Sequence, residues 1–370
     1  MIYIGIDIDK KKCVACLQDK TGRILHGLKF ENKKSGFQNL LKLVKGKKAR
    51  AVIESTGNLW IRLYTALEES DIEVKLANPY KTRVIAESRI KTDKIDAKTL
   101  ADLLRADLIV SSHVPPAHVR AVRDLLRHRL NMVNDRTRVK NRIHSLLDKY
   151  ELPEFKGTDL FSKAGMRWFT EQITHLDPGD QFVLQSLLYE LKTLDTLIEK
   201  ADKEVALHAE VTEGVKLLMS LIGVSFNTAL LFVCEVDEIQ RFPSSSKLVS
   251  WLGLAPRVHQ SGETCYYGRI TKRGSPRLRG ALIQAAHAAV RFDPHWRSKF
   301  NRISHSKGKQ KAYVAVAREL AVTMYHMLIN KEPYRFGREK TYTQKLKSLD
   351  RLTRKAQTNQ GEALFECFSL

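Results

Sequence analysis

Four acidic side chains in the first hundred residues have the types and positions of a metal site. Asp7 lies within the alternating apolar stretch "YIGIDI", and Glu54 ends the apolar stretch "AVIE". Asp93 and Asp96 follow in "RIKTDKIDAKTLADLL", three residues apart at the start of a predicted helix. Magnesium prefers oxygen ligands, and carboxylates that hold one or two Mg²⁺ ions support phosphodiester cleavage. The set therefore favours metal-dependent chemistry on a phosphodiester.

The predicted strand or helix on which each acidic residue lies determines how strongly it indicates a metal site. Asp7 is predicted inside a strand, where an unpaired charge is costly unless it is paired or bound to metal. Glu54 is predicted at the carboxyl end of a strand, where α/β sheets tend to bind ligands. Asp93 and Asp96 have a plainer alternative, because acidic side chains in a first helical turn stabilise the helix dipole, with Thr92 as N-cap.

The first 112 residues predict an α/β domain. Apolar alternation predicts strands at 2–8, 12–18 and 24–30, and helices and strands then alternate up to Pro79. This order predicts a mixed sheet with helices on its faces. The proline-bearing stretch "SSHVPP" marks the domain boundary.

The remainder predicts three further segments, of which the first two are mainly helical. Residues 113–210 are basic and contain two long predicted helices, typical of a coiled-coil arm used for oligomerisation, although a linker with a solvated basic face explains the pattern as well. Residues 211–332 predict a helical domain in which "RITKRGSPRLRGALIQAAHAAVR" is a basic loop that leads into an Ala-rich helix. Residues 333–370 predict a basic tail, part helical and part disordered.

The overall charge indicates a polyanionic partner. The chain of 370 residues carries Lys+Arg 63 against Asp+Glu 41, a formal net charge of +22. Clustered Lys and Arg favour nucleic acid, because phosphate contacts release counterions. An acidic membrane surface is the rival, but the sequence has no apolar run of about 18 residues. Five scattered cysteines fit a reducing compartment, and we expect a cytoplasmic protein.

The stretch "PRVHQSGETCYYGRITKRGSPRLRGAL" is the strongest predicted nucleic-acid surface. Tyrosines interleaved with basic residues suit stacking and phosphate contact, although a solvated basic loop is the alternative. Ser261 lies here in "HQSGE", and from the residues alone the Ser-Gly pair predicts a turn. His259 is the single local candidate for a general base, and the spacing does not establish that its side chain reaches the serine. The predicted binding residues are Arg120, Arg123, Arg127, Arg257, Tyr266, Tyr267, Arg269, Lys272, Arg273, Arg277 and Arg279.

Several blocks together resemble the transposases of insertion-sequence family 110. They are "YIGIDIDKKK", "AVIESTGNLW", "ANPYKTRVIAESRIKTDKIDAKTLADLL" and "WLGLAPRVHQSGETCYYGRITKRGSPRLRGALIQAAHAAV". The resemblance covers roughly 1–112 and 213–330. It implies a ribonuclease-H-like (RuvC-like) first domain whose Asp-Glu-Asp-Asp set is Asp7, Glu54, Asp93 and Asp96.

The same resemblance implies the reaction and the partners. Ser261 matches a serine implicated as the nucleophile that joins covalently to a DNA phosphate. A noncoding guide RNA from the element would pair with both DNA partners, and a homodimer or homotetramer is expected. The sequence departs from the family in "LIGVSFNTA", where Gly223 alone remains of a turn that commonly has a proline and two glycines.

Two alternatives stay open from the sequence. In the first, the protein is a metal-dependent junction-resolving nuclease in which water attacks and Ser261 only contacts phosphate. In the second, it is a non-catalytic nucleic-acid-binding protein whose carboxylates are structural.

Overall fold

The computed structural model describes residues 1–54, 57–85 and 92–358 of the chain. The chain forms two compact units, Met1–Pro115 and Pro116–Leu370. The predicted turn residues Ser55 and Thr56, the basic residues that precede Thr92, and the end of the predicted tail at 359–370 lie outside the described residues.

The first unit is built on a mixed sheet of six strands, which confirms the predicted α/β class. The strands are β1 (Ile2–Ile8), β2 (Lys12–Gln18), β3 (Ile24–Glu31), β4 (Ala49–Glu54), β5 (Glu73–Ala77) and β6 (Ser111–Ser112). They are ordered β3-β2-β1-β4-β5-β6. The strands β1, β4 and β5 run parallel, whereas β2, β3 and β6 each pair antiparallel with a neighbour. The strand β1 therefore lies inside the sheet.

Helices cover both faces of this sheet, and the residue alternation of β1 determines which face each side chain meets. The helices are α1 (Lys34–Val44), α2 (Trp60–Glu68), α3 (Pro79–Ile85) and α4 (Asp93–Arg105). Ile4 and Ile6 face α1 and α2 and are fully buried with Leu40 and Leu63. The opposite face of the sheet packs against α4.

The second unit is mainly helical, with one two-stranded sheet. Its helices are α5 (Ala117–Leu147), α6 (Lys163–Gln172), α7 (Pro178–His208), α8 (Glu213–Met219), α9 (Phe226–Val236), α10 (Ser245–Trp251), α11 (Pro276–Phe292), α12 (Pro294–Lys307), α13 (Lys309–Asn330) and α14 (Glu339–Thr358). The strands β7 (Pro256–Ser261) and β8 (Thr264–Ile270) form an antiparallel hairpin. This hairpin corrects the basic loop that the residue pattern predicts here.

The long helices α5 and α7 pack along each other and belong to two different cores. Val122 and Leu126 of α5 are buried in the main helical core of the unit. Further along α5, Ile143 joins a separate core with Phe169 of α6 and Leu187 of α7. The far part of this helix pair therefore has apolar packing of its own.

The predicted basic tail contains a packed helix. Within α14, Leu349 and Ala356 are buried. Among the helices of the described residues, none is long and apolar enough to cross a membrane.

Candidate active site

Asp7 and Glu54 lie side by side on adjacent parallel strands. The register pairs Ile6 with Ile53, so one further step along both strands brings Asp7 level with Glu54. Both acidic side chains are half-buried. Residues two apart on a strand share a face. Asp7 therefore shares the face of Gly5, the face against which α4 packs.

Gly5 fixes the distance between β1 and α4. A Cβ atom at this position would lie 2.1 Å from the carbonyl oxygen of Ala97 and 2.3 Å from the amide nitrogen of Ala101, both in α4. The backbones of strand and helix are therefore in direct contact. Since Asp93 lies one turn before Ala97, this contact directs the start of α4 toward the end of β1 that carries Asp7.

The start of α4 is capped as the sequence predicts. The Thr92 hydroxyl accepts a hydrogen bond from the Ile95 amide at 3.3 Å, and Asp93 and Asp96 both lie in the first turn. Asp93 is exposed, whereas Asp96 is half-buried. The helix-dipole interpretation of these two carboxylates and their participation in a site are compatible, because the first turn is also the part nearest Asp7.

The electrostatics of Asp7 connect all four acidic residues. The pKa of Asp7 is raised from 3.8 to about 6, first by burial and then by the negative charges of Asp93, Glu54 and Asp96. A hydrogen bond from the Ile8 amide acts in the opposite direction. Like charges disfavour ionisation of a neighbouring carboxylate. The fold therefore brings residues from three separate parts of the chain into electrostatic contact.

A divalent cation fits the chemistry of this donor set. Oxygen-only carboxylate ligands suit hard ions such as Mg²⁺, and a cation would relieve the mutual repulsion that raises the pKa of Asp7. Among the residues that the structure describes, no three His, Cys, Asp or Glu side chains are already grouped at coordinating positions. The carboxylates are close enough to interact through space without forming a closed ligand cage.

Ser261 lies at the tip of the β7–β8 hairpin. It pairs with Thr264, and the connection between them contains Gly262, whose φ of +56° is in the left-handed region. Glycine adopts this conformation without the steric cost of a Cβ atom. The serine is exposed, so its hydroxyl is accessible to a large substrate.

The side chains of the hairpin lie on two faces, and both faces are exposed. His259 and Tyr266 pair across the strands and share the face of Ser261, since alternate residues of a strand point the same way. Val258 and Tyr267 pair on the opposite face. Tyr266 and Tyr267 are 69% and 74% exposed, which leaves both rings open for stacking.

The basic residues around the hairpin divide into exposed and buried groups. Arg257, Arg269 and Lys272 are exposed. Arg279 is buried, and its guanidinium donates to the carbonyl oxygens of Leu252 and Arg273. Arg279 therefore supports the loop that leads into α11. Exposed Arg277 approaches Asn131 of α5, with 3.5 Å between its Nη2 atom and the Asn131 Oδ1 atom.

Two of the predicted binding arginines on α5 are engaged inside the second unit. Arg123 donates twice to the carbonyl oxygen of Cys234, and burial lowers its pKa. Arg127 forms a two-pronged contact with the buried carboxylate of Glu235, at 2.9 and 3.1 Å. Arg120 is half-buried on the same helix. Through these contacts Arg123 and Arg127 contribute to packing inside the second unit. Their four-residue spacing, next to the buried Val122 and Leu126, is consistent with this role.

Comparison with known families matches both units. Residues 4–151 match the transposase family model for the DEDD domain of IS110 elements. Residues 215–301 match the model described as "Transposase IS116/IS110/IS902 family". The two matches contain Asp7, Glu54, Asp93, Asp96 and Ser261.

Three curated relatives are similar over nearly the whole chain. The transposase for insertion sequence element IS1111A of Coxiella burnetii is 27% identical and covers 90% of this chain and 91% of its own length. The transposase for insertion sequence element IS1533 of Leptospira borgpetersenii is 26% identical, over 90% and 97% respectively. The pilin gene-inverting protein of Moraxella bovis is 25% identical, again over 90% and 97%.

Proposed function

This chain belongs to the IS110 family of transposases, and we propose that it cuts and rejoins DNA with a carboxylate metal site and a serine nucleophile. The metal site consists of Asp7, Glu54, Asp93 and Asp96, and the nucleophile is Ser261. The observation that carries the proposal is geometric: Asp7 and Glu54 are level on adjacent parallel strands, and the helix whose first turn carries Asp93 and Asp96 packs against Gly5 of the same strand as Asp7. The raised pKa of Asp7, to which the charges of the three other carboxylates contribute, is in keeping with this convergence.

The sheet supports a ribonuclease-H-like assignment for the first unit. Its order places β1 between an antiparallel β2 and a parallel β4, with the acidic residues at the shared end of β1 and β4. Ligands of open α/β sheets bind at the carboxyl ends of the strands. We therefore assign this end as the place where the scissile phosphate meets the carboxylates.

The four carboxylates would hold Mg²⁺, which supplies Lewis-acid stabilisation of the charge that develops on phosphate oxygens. The contribution of the chain is to hold Asp7 and Glu54 on rigid strands and to bring Asp93 and Asp96 from a helix pressed against Gly5. Rigid supports of this kind reduce the cost of organising ligands during the reaction.

Ser261 is proposed to attack the phosphorus of the scissile phosphodiester. The Ser261 Oγ–P bond forms, the bond from phosphorus to one deoxyribose oxygen breaks, and that oxygen leaves as a hydroxyl after it takes a proton. Attack by a DNA hydroxyl on the phosphoserine reverses the process, so the strands are rejoined and the serine is regenerated. The serine hydroxyl must give up its proton as the Oγ–P bond forms. The imidazole of His259, on the same face of the hairpin, is the proposed acceptor of that proton and its donor to the leaving oxygen.

The partners follow from charge, exposed rings and family membership. The exposed Arg257, Arg269 and Lys272 are suited to phosphate, and Tyr266 and Tyr267 to bases or backbone. We propose DNA element ends and target as substrates. An element-encoded guide RNA and an assembly of two or four chains rest on the family resemblance, with the α5–α7 pair as the oligomerisation arm.

A metal-dependent nuclease is the second candidate function. The observation that favours it is that the carboxylates are assembled within the first unit alone, without any residue from the hairpin. In that case water attacks the phosphorus, and Ser261 contacts phosphate without bonding to it.

A cleavage assay tests the proposal and separates the two functions. Labelled element-end DNA is incubated with protein, guide RNA and Mg²⁺, and the products are run on a denaturing gel. Wild type is expected to give a protein–DNA adduct that Ser261→Ala and Asp7→Ala do not give. Cleavage without adduct would favour the nuclease, and cleavage by Ser261→Ala at the wild-type rate would contradict the serine assignment.

A further inference from the structure

The turn between α8 and α9 presents three backbone carbonyl groups to one cation. The Lys345 Nζ atom of α14 donates hydrogen bonds to the carbonyl oxygens of Met219, Leu221 and Val224, at 2.8, 2.9 and 2.8 Å. These acceptors span the turn from the last residue of α8 to the residue before the cap of α9. An ammonium group has three N–H donors, so the three contacts use its whole donor capacity.

The three carbonyl oxygens converge from the end of α8 and the turn that follows it. Met219 is the last residue of α8, and the last carbonyls of a helix lack intrahelical donors and carry the negative end of the helix dipole. Leu221 and Val224 lie in the turn, and the Leu221 carbonyl oxygen also accepts the Val224 amide at 3.2 Å. Among the described residues, no acidic side chain forms an ion pair with Lys345. The ammonium is therefore held by carbonyl dipoles alone. Burial lowers the pKa of Lys345 to about 8, so the side chain is still mostly protonated at neutral pH.

Both sides of this contact are anchored in the core of the second unit. Gly223 forms the turn with a φ of +90°, and a Cβ atom there would lie 2.4 Å from the carbonyl oxygen of Ala285 in α11. On α14, Leu349 lies one helical turn after Lys345 and is buried. The turn and the lysine therefore cannot drift apart without disturbing the core.

We propose that the α8–α9 turn is a monovalent-cation site whose ligand is the tethered ammonium of Lys345. Ammonium and potassium ions are nearly equal in size, and both are bound by converging carbonyl oxygens. A cation carried by the chain holds the turn in shape independently of the surrounding salt. Removal of the lysine side chain leaves three carbonyl oxygens that a free K⁺ ion can occupy.

Thermal unfolding of the full chain tests this proposal with Lys345→Ala. Melting temperatures are measured in KCl, NaCl and choline chloride at one constant ionic strength. In choline, Lys345→Ala is expected to melt roughly 5 °C or more below wild type, because three hydrogen bonds from a charged group are lost. K⁺ is expected to recover most of this loss with a saturable dose dependence, whereas wild type shows no preference for K⁺ over choline. Lys347→Ala removes an exposed lysine from the same helix and is the matched control, expected to behave as wild type.

Lys345→Met keeps the apolar stem and removes the charge, so it separates lost packing from the lost cation. Its melting temperature is also expected to rise with K⁺ but not with choline. Equal melting temperatures of either variant in KCl and choline chloride would overturn the proposal. Failure of both variants to fold at any K⁺ concentration would overturn it as well, because K⁺ would then not replace the ammonium.

Discussion

The proposed metal site and the proposed serine nucleophile differ in how firmly the surrounding structure holds them. Asp7 lies on β1, which has strands on both sides and helices on both faces. Ser261 lies on a two-stranded hairpin whose residues are exposed on both faces. A hairpin without a packed face is only marginally stable alone. The carboxylates are therefore positioned by folding, whereas we infer that the serine is held in place by what binds to the hairpin.

Ser261→Ala is expected to have the largest chemical effect and the smallest structural one. Adduct formation should fall at least ~1000-fold, because the nucleophile is lost. The melting temperature should stay unchanged, since Ser261 is exposed and its side chain supports no core. Denaturing gels and thermal unfolding measure the two effects. Thr264→Ala, which alters the paired position, is the control and should keep its adduct. A large loss of stability in Ser261→Ala would show that Ser261 supports the fold, and would contradict the difference proposed between the hairpin and β1.

Two arginines of the second unit allow the effect of a buried ion pair to be compared with that of an exposed charge. Arg127→Ala leaves the buried Glu235 carboxylate without its partner, and should reduce the free energy of unfolding by about 3 kcal/mol. Exposed Arg257 is the counterpart. Arg257→Ala should leave stability unchanged and reduce the slope of DNA affinity against salt concentration by about one. Denaturant unfolding and salt-dependent binding distinguish the two. The reverse pattern would show that Arg127 binds DNA.

Gly5→Ala tests the rigid support of the carboxylates. The added Cβ atom collides with the backbone of α4, so the helix must shift, at a cost of about 2 kcal/mol in the free energy of unfolding. Metal-dependent cleavage should fall as Asp93 and Asp96 move with the helix. Gly27→Ala is the matched control, because a Cβ atom in β3 meets nothing within 4 Å. Equal activity of the two variants would show that the position of α4 does not control the site.

Asp7→Asn should change stability only modestly, and in the favourable direction. The folded pKa of about 6 exceeds the ordinary value of 3.8, so the folded state holds its proton more tightly. Stability is therefore lost as pH rises from about 4 to about 6, and the ionised Asp7 destabilises the fold at neutral pH. After allowance for solvent screening, Asp7→Asn should gain on the order of 1 kcal/mol in metal-free buffer at pH 7.

Added Mg²⁺ provides the complementary measurement for Asp7. Wild type should become more stable on addition of Mg²⁺, and Asp7→Asn should respond less, because one ligand is missing. Thermal unfolding at pH 7 and pH 4.5, with and without Mg²⁺, covers both expectations. The contribution of Asp7 is the difference in stability between wild type and Asp7→Asn at each pH. If this difference favoured wild type more at pH 7 than at pH 4.5, it would contradict the sign of this prediction.

Strands β1 to β5 of the first unit could be predicted from the sequence because their patterns are local, whereas the two-residue β6 could not. Alternation along β1 identified Asp7 as a charge within an apolar strand, and the Thr92 cap was readable from the residues that follow it. The contact of α4 with Gly5 could not be predicted, because it depends on two backbone segments that are more than ninety residues apart in the chain.

The roles of basic residues in the second unit were harder to predict, because the sequence does not show which groups each arginine contacts. Arg123 and Arg257 are alike in sequence, but one donates to a buried carbonyl oxygen and the other is exposed. Lys345 lies in a stretch that predicted a basic tail, and its carbonyl partners are more than a hundred residues away. Charge alone does not distinguish a structural cation from a phosphate contact.

Mass spectrometry of the protein–DNA adduct identifies which residue bonds to the DNA. The protein–DNA adduct is digested with nuclease and trypsin, and the peptide 258–269 is sequenced by fragmentation. This peptide contains Ser261 together with Tyr266 and Tyr267, so it distinguishes the candidate hydroxyl groups. We expect a nucleotide attached through phosphate to Ser261. A nucleotide on either tyrosine, or an unmodified peptide from a reaction that has cut the DNA, would contradict it.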